Sequence, residues 1–365
     1  MQALRSGWNK VVRALADRVS TGLQSGEGGR AAVERHDVFR ALVLTTHQAG
    51  VSAGEAVRAH DGAVEIEGVG RGGEDEAAFV AAQPPGLLKE VVAKLVGRQV
   101  DALFEQVVAA RGDMGVEADS APREVVGSVV VESGGAPWTL TVKPSSVAHP
   151  AAGLGVFVER RGAGVIKAGT VLGFYPGIVY PPLDMRLMPN FPNVDADNDY
   201  LMARFDNTVL DAKGVFGAGI SADEFALRLR KRRQMQQTGK SQLVHAAGAA
   251  QARVNPFALM HFVNHPAAST GLEPNVMWLG FDFMESMPGA HRAFIPNVYV
   301  RKQRTLMTTA GLGVIQQGMV MLATRDIDVD AAELFMDYRY NPSLDHPEWY
   351  EPVPGSMAAE RWEQK

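Results

Sequence analysis

The chain has 365 residues, enough for about two domains and a substantial buried core. Hydrophobic residues make up 46% and charged residues 21%, which argues against a mostly disordered chain. A net charge of −5, from 36 Lys and Arg against 41 Asp and Glu, supplies no global basic field for nucleic acid. Cysteine is absent, which excludes disulfides, a catalytic thiol and cysteine-ligated zinc or iron–sulfur sites.

Met1 to Gly22 puts Leu4, Trp8, Val11, Val12, Leu15 and Val19 on one helical face, with Arg5, Lys10, Arg13 and Arg18 against a single acid, Asp17. Import presequences share that pattern with surface helices docked on a following domain. Residues 1–22 are therefore either a mitochondrial address or an ordinary helix of a cytoplasmic or nuclear protein. A polar, Gly-rich break at Ser25 to Gly29 follows. Ala31 to Gln48 is predicted helical and closed by Gly50, and Ser52 with Glu55 has the spacing of a capping box for a second helix. Gly68 to Asp75 reads as a loop. Pro84-Pro85-Gly86 ends a short helix, and the clearest helix of the chain comes next. Its apolar pairs recur every four residues from Leu87/Leu88 through Leu103/Phe104 to Val107/Val108, stopping at Arg111-Gly112, a stripe read as core packing. No apolar run approaches the ~20 residues of a spanning helix, so no membrane span is expected.

From Val125 the texture changes. Short β-branched runs (Val125-Val126, Val129 to Val131, Thr139 to Val142, Val156 to Val158, Thr170 to Phe174) alternate with Gly and Pro turns. The expected organisation is a helical region over 1–124, a loop-rich domain of small sheets over 125–341 with a polar insertion at 214–253, and a tail over 342–365. The prolines of that tail, Pro342, Pro347, Pro352 and Pro354, suit an extended strap or a mobile end.

Within the second domain, short motifs follow one another in a definite order. They are Gly153-Leu154-Gly155-Val156-Phe157, Gly169 to Gly177 with its Tyr175-Pro176-Gly177 turn, and Tyr200 to Ala212. Phe262-Val263-Asn264-His265 and Pro274-Asn275-Val276 come next, then Ala323 to Ile327 leading into Glu333 to Tyr338. The ordered set resembles the SET domain of protein-lysine methyltransferases over roughly residues 136 to 340. In detail it is most similar to the SET domain-containing protein nine group, which shares the Gly-Val-Phe-Val strand and a segment like Ile295-Pro296-Asn297.

The resemblance implies a mainly β fold of small curved sheets with a knot-like C-terminal threading, preceded by a helical region. It implies S-adenosylmethionine as cofactor and a protein lysine as substrate. By the same resemblance, Gly153, Leu154 and Gly155 let backbone approach the methionine part of the cofactor, and Asn264 and His265 hold its amino group and adenine edge. Tyr338 is then the active-site phenol, and Tyr175 borders the substrate channel. The alternative for Tyr338 is a buried core tyrosine, and Asp211 is read as a structural acid. The chemistry suits such groups. A lysine ammonium, with pKa ~10.4, must lose its proton before it attacks a sulfonium methyl, and an apolar channel favours that loss.

The chain departs from the family pattern at several points. Asn264-His265-Pro266-Ala267-Ala268 stands where the family has Asn-His-Ser-Cys, and His261 stands where it has Arg or Lys. The flanking Cys-rich zinc segments are missing, which leaves Trp349 and Tyr350 of the tail as aromatic cover or as surface anchors. The basic run Arg228, Arg230, Lys231, Arg232 and Arg233 in the insertion reads as a contact for RNA phosphates, an acidic peptide or a nuclear import receptor, or as a solvated face. Two functions follow. One is methyl transfer to a protein lysine. The other is a non-catalytic SET-fold structural or assembly factor in a ribonucleoprotein complex such as an organelle ribosome.

Overall fold

The computed structural model describes residues 29–61, 74–113, 129–131, 135–149, 152–186, 198–213, 255–266, 268–299, 313–328 and 330–362. The 1–22 segment, the Val125-Val126 run, the 214–253 insertion and its basic run lie outside the described residues. Four helices open the described chain: α1 (Gly29–Ala49), α2 (Ala53–Asp61), α3 (Glu74–Ala81) and α4 (Pro85–Asp113). The capping box forms as its spacing requires, with Ser52 N donating to the Glu55 carboxylate (2.8 Å) and Glu55 N to Ser52 Oγ (3.2 Å). The sequence reads residues 68–75 as loop, but α3 already includes Glu74 and Asp75, acidic residues that suit a helix's first turn. Pro85 sits at the first position of α4, where its missing N–H costs nothing. The stripe Leu88, Val91, Val92, Val96, Val100, Leu103, Phe104 and Val107 is buried, and α4 packs along α1.

Among the described residues ten short strands follow: β1 (Trp138–Pro144), β2 (Leu154–Arg160), β3 (Val171–Phe174), β4 (Gly177–Tyr180), β5 (Leu201–Ala203), β6 (Val209–Asp211), β7 (Val276–Met284), β8 (Asn297–Tyr299), β9 (Val314–Ala323) and β10 (Ala331–Glu333). The short helices α5 (Pro182–Arg186), α6 (Gly289–Arg292) and α7 (Ala358–Trp362) punctuate them. The strands form three small sheets in the orders β1-β2-β10, β3-β9-β7 and β5-β6-β4-β8, antiparallel except for the β4/β8 pair. The architecture is thus a helical N-terminal region followed by several small sheets. Among the described residues no helix is long and apolar enough to cross a membrane.

One continuous core joins the two parts. Phe104 of α4 lies 5.2 Å from the Phe174 ring of β3 and 6.2 Å from that of Phe283 of β7. Gln99 of α4 donates to Gly169 O (3.0 Å) and accepts from Val171 N (2.9 Å), so a helix side chain completes the pairing at the start of β3. Gly169 has φ +86°, and a Cβ there would run into the Leu44 carbonyl of α1. A glycine is what lets the end of α1 rest on this turn.

The C-terminal segment is gripped on both edges. Phe335 bridges Asn264 and Met336 bridges Val276, both in parallel sense. Met336 N donates to Asn264 O (2.9 Å), while Asn275 N and Val276 N donate to Phe335 O (3.0 and 3.1 Å). The Asn275 side chain, 4% exposed, closes the grip by donating to Glu333 O (2.7 Å) and accepting from Phe335 N (2.8 Å). Asn275→Ala leaves two buried backbone groups without partners and is expected to cost about 2–4 kcal/mol of stability. Urea unfolding of both forms checks this, and a loss within error of zero would contradict the assignment.

Candidate functional site

A 3-10 turn, Met260–Phe262, leads into Val263 in extended conformation and aims Asn264 and His265 at the C-terminal segment. Asn264 Nδ2 donates to Leu154 O (3.0 Å), which joins the first and fourth of the sequence motifs directly. His265 is 4% exposed. Its Nε2 lies 2.8 Å from Glu351 O, and its Nδ1 lies 3.2 Å from both Met336 O and Tyr338 N. The imidazole is thus committed to the chain's own backbone, and contact between His265 and a ligand is left to its main chain.

The Gly153-Leu154-Gly155 turn divides its duties. Gly153 adopts φ +55°, and its carbonyl accepts from Ser145 N at 3.0 Å. Leu154 is exposed (42%) beside Asn264. Gly155 faces inward, where a Cβ would collide with the Glu333 carboxylate. That carboxylate accepts from Ser145 Oγ (2.6 Å), Ser146 N (2.7 Å) and Ser146 Oγ (2.5 Å). The missing side chain at 155 makes room for Glu333, a role that the spacing of glycines alone does not reveal.

Tyr338 is half-buried, and its hydroxyl donates to Val263 O at 2.9 Å. Burial, followed by the nearby Tyr340 and Tyr200, raises its pKa well above that of a free phenol. Tyr175 is buried and donates to Tyr200 O (2.9 Å), and burial together with Tyr338 and Asp211 pushes it up as well. Both phenols are therefore neutral at physiological pH, serving as hydrogen-bonding groups rather than as charged bases.

The tail is a strap. Residues 341–362 fold back over this region, and Tyr350 lies 4.6 Å from the His265 ring and 4.7 Å from that of Tyr340. Trp349 meets Tyr338 edge-on at 6.2 Å and His149 at 6.4 Å. Its end is tied down where Arg361 donates to Ala203 O (2.7 Å) and lies 4.5 Å over both Phe205 and Trp278. Trp349 and Tyr350 thus cover Tyr338 and His265, and they do so as part of an anchored segment. Tyr340 belongs to the same aromatic group, with its phenol pushed up to about 12 by burial and by Asp199. Motif order assigns no role to Tyr340, Glu351 or Glu333. The density of aromatic residues from 338 to 350 is the one sequence signal that points to Tyr340.

Next to Tyr338, Arg339 reaches Asp37 of α1 through two bonds, Nη1 to Oδ2 (2.6 Å) and Nη2 to Oδ1 (3.1 Å). A separate cleft of about 820 Å³ runs between α1, α4 and β7, with Val38, Gly97, Trp278 and Phe281 among its walls. It contains none of Gly153, Leu154, Gly155, Asn264, His265, Tyr175 or Tyr338. Among the described residues no group of three or more His, Asp or Glu side chains is arranged to hold a metal ion. Comparison with protein-family models, curated proteins and solved structures finds no match for this chain.

The Asp37 carboxyl has a definite response to acid. Burial raises its pKa, but the neighbouring His36 and Arg339 outweigh burial and hold it below the ordinary 3.8. The folded chain favours the ionised form, so its stabilisation is complete above the unfolded value and is lost as pH falls through the lower folded one. Asp37→Asn is expected to destabilise most near neutrality, with the gap to wild type closing in acid. Urea midpoints between about pH 7 and about pH 3 check this, and a constant gap would contradict it.

Proposed function

We propose that the chain transfers a methyl group from S-adenosylmethionine to a lysine of a protein substrate, through a domain of the SET type with a threaded C-terminal segment. The observation that carries the reading is the junction of Leu154, Asn264 and the Val263–Tyr338 hydrogen bond. It brings three widely separated motifs into one neighbourhood around a neutral phenol. The residues suit the cofactor. Leu154 is an exposed residue, and the Asn264 amide, fixed by Leu154 O, has its oxygen as an acceptor for an ammonium group.

In this reading the cofactor supplies a sulfonium methyl, and the chain supplies placement. Tyr338 orients the incoming amine through its hydroxyl. The rings of Tyr340 and Trp349 flank the aliphatic stem of the lysine and limit water around its nitrogen. A neutral amine is favoured in such surroundings, which is the state that carries the attacking lone pair. Alignment of nucleophile and methyl at about 3 Å does the remaining work.

A second reading, a SET-type structural or assembly factor without turnover, has its own support. The His265 ring and the Glu333 carboxylate are consumed by internal contacts, and the strap lies across Tyr338. Isothermal titration with S-adenosylmethionine separates the two. Binding is expected, and Asn264→Ala should weaken it by about 1–3 kcal/mol. No heat at millimolar cofactor would reject the enzymatic reading.

Tyr338→Phe is expected to lower turnover by about 10²–10³ while leaving cofactor affinity nearly unchanged. Methyl transfer to proteins of a cell extract, read alongside the titration, checks this. Equal transfer by both forms, with the same methylation state, would remove Tyr338 from the site.

A further inference from the structure

We propose that Asp37 is a positioning residue for Tyr338, acting through Arg339; its effect on turnover rests on the methyltransferase reading above. Tyr338 is held at two points, by its hydroxyl on Val263 O (2.9 Å) and by its amide on His265 Nδ1 (3.2 Å). The direction of the ring between those points depends on the next residue. Arg339 has φ +49°, in the left-handed region that non-glycine residues rarely adopt. Such a backbone persists only where its surroundings over-determine it.

Three contacts do so. Asp337 Oδ1 accepts from Arg339 N (3.0 Å), Trp362 Nε1 donates to Arg339 O (2.6 Å), and Asp37 takes the guanidinium in two parallel bonds (2.6 and 3.1 Å). The first two come from nearby in the chain. Asp37 comes from 302 residues earlier, on α1, and is only 3% exposed. A forked pair fixes direction as well as distance, because guanidinium and carboxylate match in only a few orientations. Burying two charges is costly, and the fork offsets that cost only in its matched orientation. The helical region thereby sets the angle at which the phenol enters the site.

The test is a double-mutant cycle on the full-length chain with Asp37→Asn and Tyr338→Phe, read below the unfolding transition of every form. Asp37→Asn is expected to lower kcat by about 10–100-fold with little change in the KM for S-adenosylmethionine. In the Tyr338→Phe background it should cost nothing more, and Asp37→Glu should restore part of the loss. Arg339→Lys, which keeps the charge and loses the fork, serves if Asp37→Asn does not fold, and should behave alike. In parallel, hydrogen exchange at the Tyr338 amide should speed up in Asp37→Asn while the β7 and β9 amides stay protected. Losses that multiply across the cycle, or a Tyr338 amide as protected as in wild type, would overturn the proposal. A wild-type chain that transfers no methyl while Asp37→Asn still frees the Tyr338 amide would overturn the functional reading alone, leaving the coupling in place.

Discussion

The residues from Glu333 to Met336 obtain their hydrogen bonds from three distant stretches, around Val156, Asn264 and Asn275. Every feature of the candidate site leans on that arrangement. It fixes the height of Glu333 behind Gly155, the place of His265 against Tyr338, and the point from which the tail sets out. Buried backbone groups tolerate few alternatives to pairing, so the segment admits one register rather than several. A side-chain amide is well suited to the junction. Asn275 presents a donor and an acceptor to a strand that runs alongside, imitating a strand partner where none is available.

Much of this is legible in the sequence. The four-residue apolar stripe of α4, the capping box at Ser52 and Glu55, and the β-branched runs of β1, β2 and β3 are local signals, and local physics decides them. Leu154 meets Asn264, and His265 meets Tyr338, across 110 and 73 residues of sequence. Other features have no local trace. Asp37 looks like any acid in an amphipathic helix, because its partner lies at the far end of the chain. Gly155 looks like a cofactor turn, and only the position of Glu333 gives the absence of its side chain another meaning. The start of α3 is hidden because Gly70-Arg71-Gly72-Gly73 reads as loop right up to the acids that open the helix.

The tail illustrates how aromatic residues act together. Tyr338, Tyr340, His346, Trp349 and Tyr350 touch one another in a chain of stacked, tilted and edge-on contacts, so each ring limits the freedom of the next. With Arg361 at the far end, the strap is fastened at both ends and stiffened between them. A proline-rich composition favours such an extended path, since it lowers the entropy lost when the path is fixed.

The union of Asp37 with Arg339 also bears on how the chain is made. Synthesis delivers α1 well ahead of Arg339, 302 residues further on, so over that stretch of elongation the carboxylate lacks the guanidinium that neutralises it on burial. The helical region emerging from the ribosome cannot close its core around Asp37 at full advantage until the last strand and the strap have arrived. Contacts of such long sequence separation make for slow acquisition of the native state. A chain cut short ahead of Arg339 keeps the Asp37 carboxylate without its fork and bears the cost of burying it alone.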